Sequence, residues 1–149
     1  MTLRFTDSAP TRGPAPSHSP ADARFAPGLG LADFLGWFSV GLGLAEALAP
    51  KSMERLTGVR GEGMLKAFGL REIATGAGIL GSSTRPTAWL WGRVAGDVMD
   101  LAAIATQAGE ADDPDRRTRL LASGLAVAGV TVLDVICAMQ MQAADALEG

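Results

Sequence analysis

The chain has 149 residues, enough for one domain, and only 19% of them are charged, below the roughly 25% of soluble domains. Its formal net charge of −3 gives no reason to expect nucleic acid as a partner. With one histidine, His18, and one cysteine, Cys137, the chain lacks the ligands or base of the usual zinc, haem and histidine-based sites, and it can form no internal disulfide. These residue types point away from most enzyme classes and toward lipid as the surrounding solvent.

Residues 1–30 combine prolines with Ser, Thr, Ala and Gly. Such a mixture cannot bury a core, so we predict a disordered or extended N-terminal tail. It is not a secretory signal, because no apolar stretch of the right length follows a basic start.

Four apolar segments follow, over residues 31–49, 64–81, 86–107 and 118–141. Each approaches the roughly 20 residues that a membrane-spanning helix needs. A soluble bundle would carry polar side chains on one face of each helix, whereas residues 120–133 contain only Ser123 and Thr131 as polar side chains. We predict an all-α integral membrane four-helix bundle over residues 31–141, followed by a short C-terminal tail over residues 142–149.

The connections between these segments are polar. Residues 51–63 are glycine-punctuated, residues 108–117 are rich in charge, and residues 82–85 form a tight turn that makes the second and third helices antiparallel neighbours. The first and third connections carry more Lys and Arg than the other side does, which favours termini outside the cytoplasm. A family resemblance favours the opposite orientation, so the orientation stays open.

That resemblance rests on three stretches: residues 36–46 (GWFSVGLGLAE), residues 69–76 (GLREIATG), and residues 89–97 (WLWGRVAGD) with Asp100 and Leu101. Together they resemble an uncharacterised family of bacterial four-helix membrane domains, which occur alone or joined to polyketide cyclase/dehydrase-like (START-like) soluble domains. The resemblance covers residues 31–140. It implies a multi-pass protein of the bacterial inner membrane and no established activity, and residues 1–149 leave no room for the soluble domain.

Seven ionisable residues lie inside the apolar segments, and we predict that they form an intramembrane polar cluster. Residues of this kind normally face the bundle interior and are paired. One interpretation is a proton or ion pathway that uses the excess of carboxylates over guanidinium groups. The other is a set of ion pairs that fixes the helix order. The seven residues are Glu46, Arg71, Glu72, Arg93, Asp97, Asp100 and Asp134.

Depth in the bilayer predicts which charges meet. With a helix rise of about 1.5 Å per residue, Arg71 and Asp100 both lie about 10 Å from the side of connections one and three, and Glu46 about 5 Å. Arg93 and Asp134 both lie about 21 Å deep. We therefore predict one cluster of Arg71 with Asp100 or Glu46. A second cluster would join Arg93 to Asp134 and to its helix neighbour Asp97.

Trp37, Trp89 and Trp91 lie near helix ends. They could line a pigment or quinone site, but we predict that they are interfacial anchors, the usual place of tryptophan in membrane proteins.

The residue types favour a non-enzymatic protein, most simply a structural or accessory subunit of a larger membrane complex. Its expected partners are membrane lipids and either another membrane protein or further copies of itself, with no metal and no nucleic acid. The alternative is a small transporter or proton-conducting protein that uses the intramembrane carboxylates. An enzyme acting on lipid has no nucleophile–base set to support it, and the residues identify no cofactor.

Overall fold

The computed structural model describes residues 28–82 and 86–148. These residues form an all-helical structure with four long helices and one short one. The elements are α1 (Leu29–Leu48), α2 (Pro50–Thr57), α3 (Glu62–Gly81), α4 (Thr87–Gly109) and α5 (Pro114–Glu148).

The first apolar segment packs most extensively against the second, as α1 against α3. Four glycines make this contact possible: Gly36 lies against Gly76, and Gly43 lies against Gly69, so the two helices run antiparallel. At Gly69 an added Cβ would lie 2.8 Å from the backbone nitrogen of Ala47. The two backbones touch here, an approach that small residues permit in helix pairs.

α4 packs against α5 in a second antiparallel pair. The buried apolar side chains of α4 and α5 form two clusters with those of the rest of the fold. One cluster lies at the end of the bundle where α1 begins and includes Leu35, Ile79 and Leu90, and the other lies at the opposite end and includes Leu65 and Leu120. Residues from the middle of the long helices, among them the ionisable ones, fill the space between these two apolar layers.

The first connection contains a helix that the sequence did not predict. Pro50 occupies its first turn, where a missing backbone N–H costs nothing, and Gly58 ends it with φ +79°. The chain beyond is fixed by two bonds to one side chain, because Arg60 N donates to Gln107 Oε1 (2.8 Å) and Gln107 Nε2 donates to Arg60 O (3.0 Å). The connection is therefore a packed structural element.

The last helix is longer than predicted. α5 begins at Pro114, inside the expected aqueous connection, and continues to Glu148, so residues 142–148 are helical where a short tail was expected. Near its C-terminal end, Thr87 Oγ1 donates to Asp145 Oδ2 (2.8 Å), which ties α5 to the start of α4. At the other terminus, Gly28 caps α1 with φ +97°, and Leu29 and Gly30 belong to the helix. Residues 1–27 of the predicted tail lie outside the described residues, as do residues 83–85 of the predicted turn.

Two of the described helices, Leu29–Leu48 and α5 over Pro114–Leu147, are long and apolar enough to cross a membrane. Core helices of soluble proteins and signal sequences near an N-terminus pass the same test, and 28% and 17% of the apolar windows of these two helices are buried. Among the described helices, α3 and α4 do not meet the test, so length and composition support two of the four predicted spans.

Candidate functional site

The most deeply buried ion pair joins α4 to α5. Arg93 Nε lies 2.9 Å from Asp134 Oδ1, and Arg93 NH2 lies 3.1 Å from Asp134 Oδ2. Both side chains are almost fully buried, with 1% and 0% of their surface exposed. The parallel, bidentate arrangement is the strong form of an arginine–carboxylate contact. The structure thus forms the Arg93–Asp134 pair that depth predicts.

A second ion pair joins α3 to α4. Arg71 NH1 and NH2 donate to Asp100 Oδ1 (3.0 Å) and Oδ2 (2.7 Å). Arg71 NH1 also reaches the Gly96 carbonyl oxygen at 3.1 Å, and its guanidinium carbon lies 5.4 Å from the centroid of the Phe68 ring. Of the two carboxylates predicted for Arg71, Asp100 is therefore the partner, and Glu46 forms no hydrogen bond to it among the described residues.

Glu72 connects the two pairs, which corrects the prediction of two separate clusters. Its Oε1 accepts from Arg71 NH2 (2.9 Å), and its Oε2 accepts from Arg93 NH1 (2.9 Å). The arginines come from different helices, yet one carboxylate is long enough to reach both. The described residues therefore contain one continuous network from Asp100 to Asp134.

Ser39 belongs to this network and was not predicted. Its hydroxyl is fully buried and donates to Glu72 Oε2, and its Oγ lies 2.9 Å from the Glu72 carbonyl oxygen. The contact ties α1 to the charged centre. A sequence signal existed, because Ser39 lies seven residues before Glu46, on the same face of a helix whose other residues are apolar except for Asp33 near its start.

Two of the predicted site residues carry oxygens that the network leaves unused. Asp97 is 4% exposed, and its Oδ2 has no hydrogen-bond partner among the described residues. It lies beside Thr131 and Asp134 rather than in a hydrogen bond to Arg93. Glu46 Oε2 is likewise buried without a partner in the part of the chain that the structure describes.

Both carboxylates line a partly open cavity of about 440 Å³. We call this cavity the central cavity. Its charged end is formed by Glu72, Arg93, Asp97 and Asp100. Its walls are otherwise largely apolar and come from all five helices. They include Leu42, Met53, Leu65, Phe68, Ile104 and Val127.

Oxygens of Glu72, Asp97 and Asp100 lie within 4.8 Å of one another, a spacing that could hold a metal ion. Two of these three carboxylates are already bound to guanidinium groups, however. A divalent cation would have to displace Arg71 and Arg93 or lie against their positive charge. The donor set therefore suits ion pairing better than metal binding.

The three tryptophans lie outside the charged centre. Trp37 is 68% exposed, and Trp89 and Trp91 are 41% and 40% exposed. Trp89 also packs across Gly78, where its ring occupies the space that a Cβ would need. None of the three lines the central cavity.

Comparison of the chain with protein-family models, with curated proteins and with solved structures finds no match.

Proposed function

We propose that this chain is an integral membrane protein that crosses the bilayer four times, with α1, α3, α4 and α5 as its spans. The observation that supports this most strongly is the distribution of charge. Within residues 34–48, 67–81, 88–109 and 120–139, no exposed residue is charged, while every charged residue is buried or half-buried. A water-soluble protein has the opposite distribution, since its charged residues are almost never buried and its surface carries them.

The exposed faces support the same proposal. Large apolar side chains point outward on all four long helices, for example Trp37 at 68%, Leu70 at 63%, Val98 at 56% and Leu125 at 76% exposure. In water these faces would form extended apolar patches. In lipid they are the natural surface of a helix bundle. The resemblance to bacterial four-helix membrane domains, as an expectation, agrees with this arrangement.

The membrane proposal is tested by fractionation. We expect the protein to stay with membranes after high-salt and alkaline washing, and Val98→Lys, at the exposed middle of α4, to lower the inserted amount. A charge there costs about 3 kcal/mol of insertion free energy. Thr106→Lys, near the end of α4, is the matched control and should have little effect. Recovery of folded wild-type protein in the soluble fraction without detergent would contradict the proposal.

The number of spans is tested by labelling. Single cysteines at Arg60, Asp112 and Ser82 are placed in a Cys137→Ala background and treated with a membrane-impermeant maleimide. Four spans require that positions 60 and 112 react from one side of the membrane and position 82 from the other. Reaction of all three from the same side would contradict four spans.

Within the membrane we propose a structural or accessory role in a larger complex. The described residues around the charged centre form ion pairs rather than a nucleophile–base set, and the network holds α1, α3, α4 and α5 in fixed positions. Exposed small residues, such as Gly41, Gly92 and Gly129, leave room for close approach of a further helix. Purification in a gentle detergent should recover a stoichiometric partner protein, and Gly92→Leu should reduce its recovery. A preparation that holds this chain alone would contradict the role.

A second candidate is proton conduction, favoured by the unpartnered oxygens of Asp97 and Glu46, two residues that line the central cavity. Proteoliposomes with a pH-sensitive dye inside test it. Conduction requires a proton flux above that of empty vesicles that is lost in Glu46→Gln. A flux equal to that of empty vesicles excludes it.

A further inference from the structure

The ion-pair network forms one end of the central cavity but gives its largely apolar walls no role. The cavity brings together a charged end and largely apolar walls, and its volume of about 440 Å³ falls in the range of about 300–1,000 Å³ typical of small-molecule sites. An apolar cavity with a few convergent polar groups is the usual form of such a site.

The charged end lacks a donor. Asp97 lines the cavity and is 96% buried, since 4% of its surface is exposed. One of its oxygens, Oδ2, has no hydrogen-bond partner among the described residues, and a buried acceptor without a partner is costly. Arg93 does not supply the missing bond, since its guanidinium group donates to Asp134 and Glu72 and Asp97 Oδ2 accepts no hydrogen bond among the described residues.

The formal charge of this end, counted with every group ionised, is negative. The carboxyl groups of Glu46, Glu72, Asp97, Asp100 and Asp134 outnumber the guanidinium groups of the two arginines beside them. Arg119 also lines the cavity but lies about 22 Å from Asp134 along α5. It is exposed, so it does not offset the excess of carboxylates at the buried end.

We propose that the central cavity binds an amphiphilic primary ammonium ion, with its N–H groups on Asp97 and its apolar body against the walls. Three features select this class of ligand. The free atoms are hydrogen-bond acceptors, which favours a group with N–H donors over a quaternary ammonium. The charge excess favours a cation over an alcohol or a carboxylate. The apolar walls, and the arginines that occupy Glu72 and Asp100, disfavour a hydrated divalent metal. The ligand is compatible with either role proposed above.

The test is equilibrium dialysis of the full chain in phosphatidylcholine nanodiscs against empty nanodiscs. The probes share one apolar body: 4-phenylbutylammonium, its trimethylammonium analogue, 4-phenylbutanol and 4-phenylbutyrate. We expect the primary ammonium to bind at least about tenfold more tightly than the alcohol, as a hydrogen bond to a buried charge would give. Weaker binding is expected for the trimethylammonium ion, and none above background for the carboxylate.

Two variants locate the site. Asp97→Asn should weaken binding of the primary ammonium about tenfold and leave the alcohol unchanged. Asp33→Asn, at an exposed carboxylate of α1, is the matched control and should bind as the wild type does. Ala126→Phe fills the cavity from its wall without changing a charge and should weaken both probes.

The wild type alone can overturn the proposal. Equal excess binding of the ammonium and the alcohol, or no excess over empty nanodiscs, would show that the charged end selects no cation. A further contrary result is an Asp97→Asn protein that elutes from a size-exclusion column as the folded wild type does and still binds the ammonium equally well. That result would show that the ligand binds elsewhere. Because these outcomes do not depend on a partner or on proton flux, they are independent of the role of the chain in a complex.

Discussion

The two helix pairs of this protein are held together in opposite ways. α1 and α3 meet through glycines, so that their backbones touch at Gly43 and Gly69. α4 and α5 meet through larger side chains: apolar ones in the two clusters and, between them, Arg93 and Asp134 as a buried bidentate pair. Adding atoms should therefore damage the first pair, and removing atoms should damage the second.

The charged centre is where the two pairs are coupled. Glu72 lies on α3 and accepts hydrogen bonds from Ser39 of α1 and from Arg93 of α4. The direct contact between α3 and α4 is otherwise much smaller than the contact within either pair. Glu72 is thus one of the residues that connect the two pairs, together with the Arg71–Asp100 ion pair and the two apolar clusters.

Arg93→Ala should have the largest effect. It leaves Asp134 without a cation and Glu72 with Arg71 alone, and stranding a buried charge costs about 3–5 kcal/mol in a dry site. The free energy of unfolding, measured by SDS titration in mixed micelles, should fall by that amount. The double variant Arg93→Ala with Asp134→Ala should recover part of the loss, because the stranded Asp134 carboxylate is then removed. A double variant no more stable than the single one would show that this pair does not stabilise the fold.

Gly43→Ala should have the next largest effect and probes the other pair. The new Cβ would clash with the Gly69 carbonyl oxygen and lie 2.9 Å from Glu72 Cβ, and such overpacking costs about 1–3 kcal/mol. Gly41→Ala is the matched control on the same helix, since its Cβ would meet nothing within 4 Å. It should be neutral or stabilise the helix by up to about 1 kcal/mol. Equal effects of the two substitutions would mean that the glycine contact is not tight.

The sequence predicted much of this comparison for the charged pair. Length and apolarity predicted the long helices, and a constant rise per residue placed Arg93 opposite Asp134 and Arg71 opposite Asp100. These predictions hold because helix geometry converts residue number into depth. Depth does not give rotation about the helix axis, so it could not show that Glu72 turns toward both arginines and joins the two clusters.

Other features of the fold could not be predicted from local sequence patterns. The glycines at the α1–α3 contact are spaced seven residues apart, as Gly36 and Gly43 in α1 and as Gly69 and Gly76 in α3. Their role depends on a glycine at the matching position of the partner helix. α2 was missed because eight mostly polar residues make only about two helical turns, too few to repeat an apolar pattern. In the fold it packs against α1, α3 and α5. The central cavity is a property of all five helices together and leaves no signal in any one of them.

Ser39→Ala should have a smaller effect and tests the coupling. Interhelical hydrogen bonds in membranes contribute about 0.6 kcal/mol on average and up to about 1.7 kcal/mol, so the loss should lie in that range. In an Arg93→Ala background the loss should change, because both residues hold the same Glu72 carboxylate and their effects should not be additive. Ser123→Ala removes a hydroxyl that donates to the Thr57 carbonyl oxygen and serves as the control. Its effect should add to that of Arg93→Ala. If the effects of Ser39→Ala and Arg93→Ala were additive as well, the Glu72 carboxylate would not couple α1 to α4.

The smallest effect is expected at the exposed ion pair between α2 and α3. Lys51 Nζ lies 3.6 Å from Glu62 Oε1, with 75% and 44% of the two side chains exposed. Solvent screens such a pair, so Lys51→Ala should cost about 0.2–1 kcal/mol. At 1 M salt, where the Debye length is about 3 Å, this cost should disappear, whereas the loss in Arg93→Ala should persist because its partners are buried. The double variant Lys51→Ala with Glu62→Ala should match the single one. A Lys51 effect that is insensitive to salt, or as large as that of Arg93, would show that burial does not decide how strongly these ion pairs stabilise the fold.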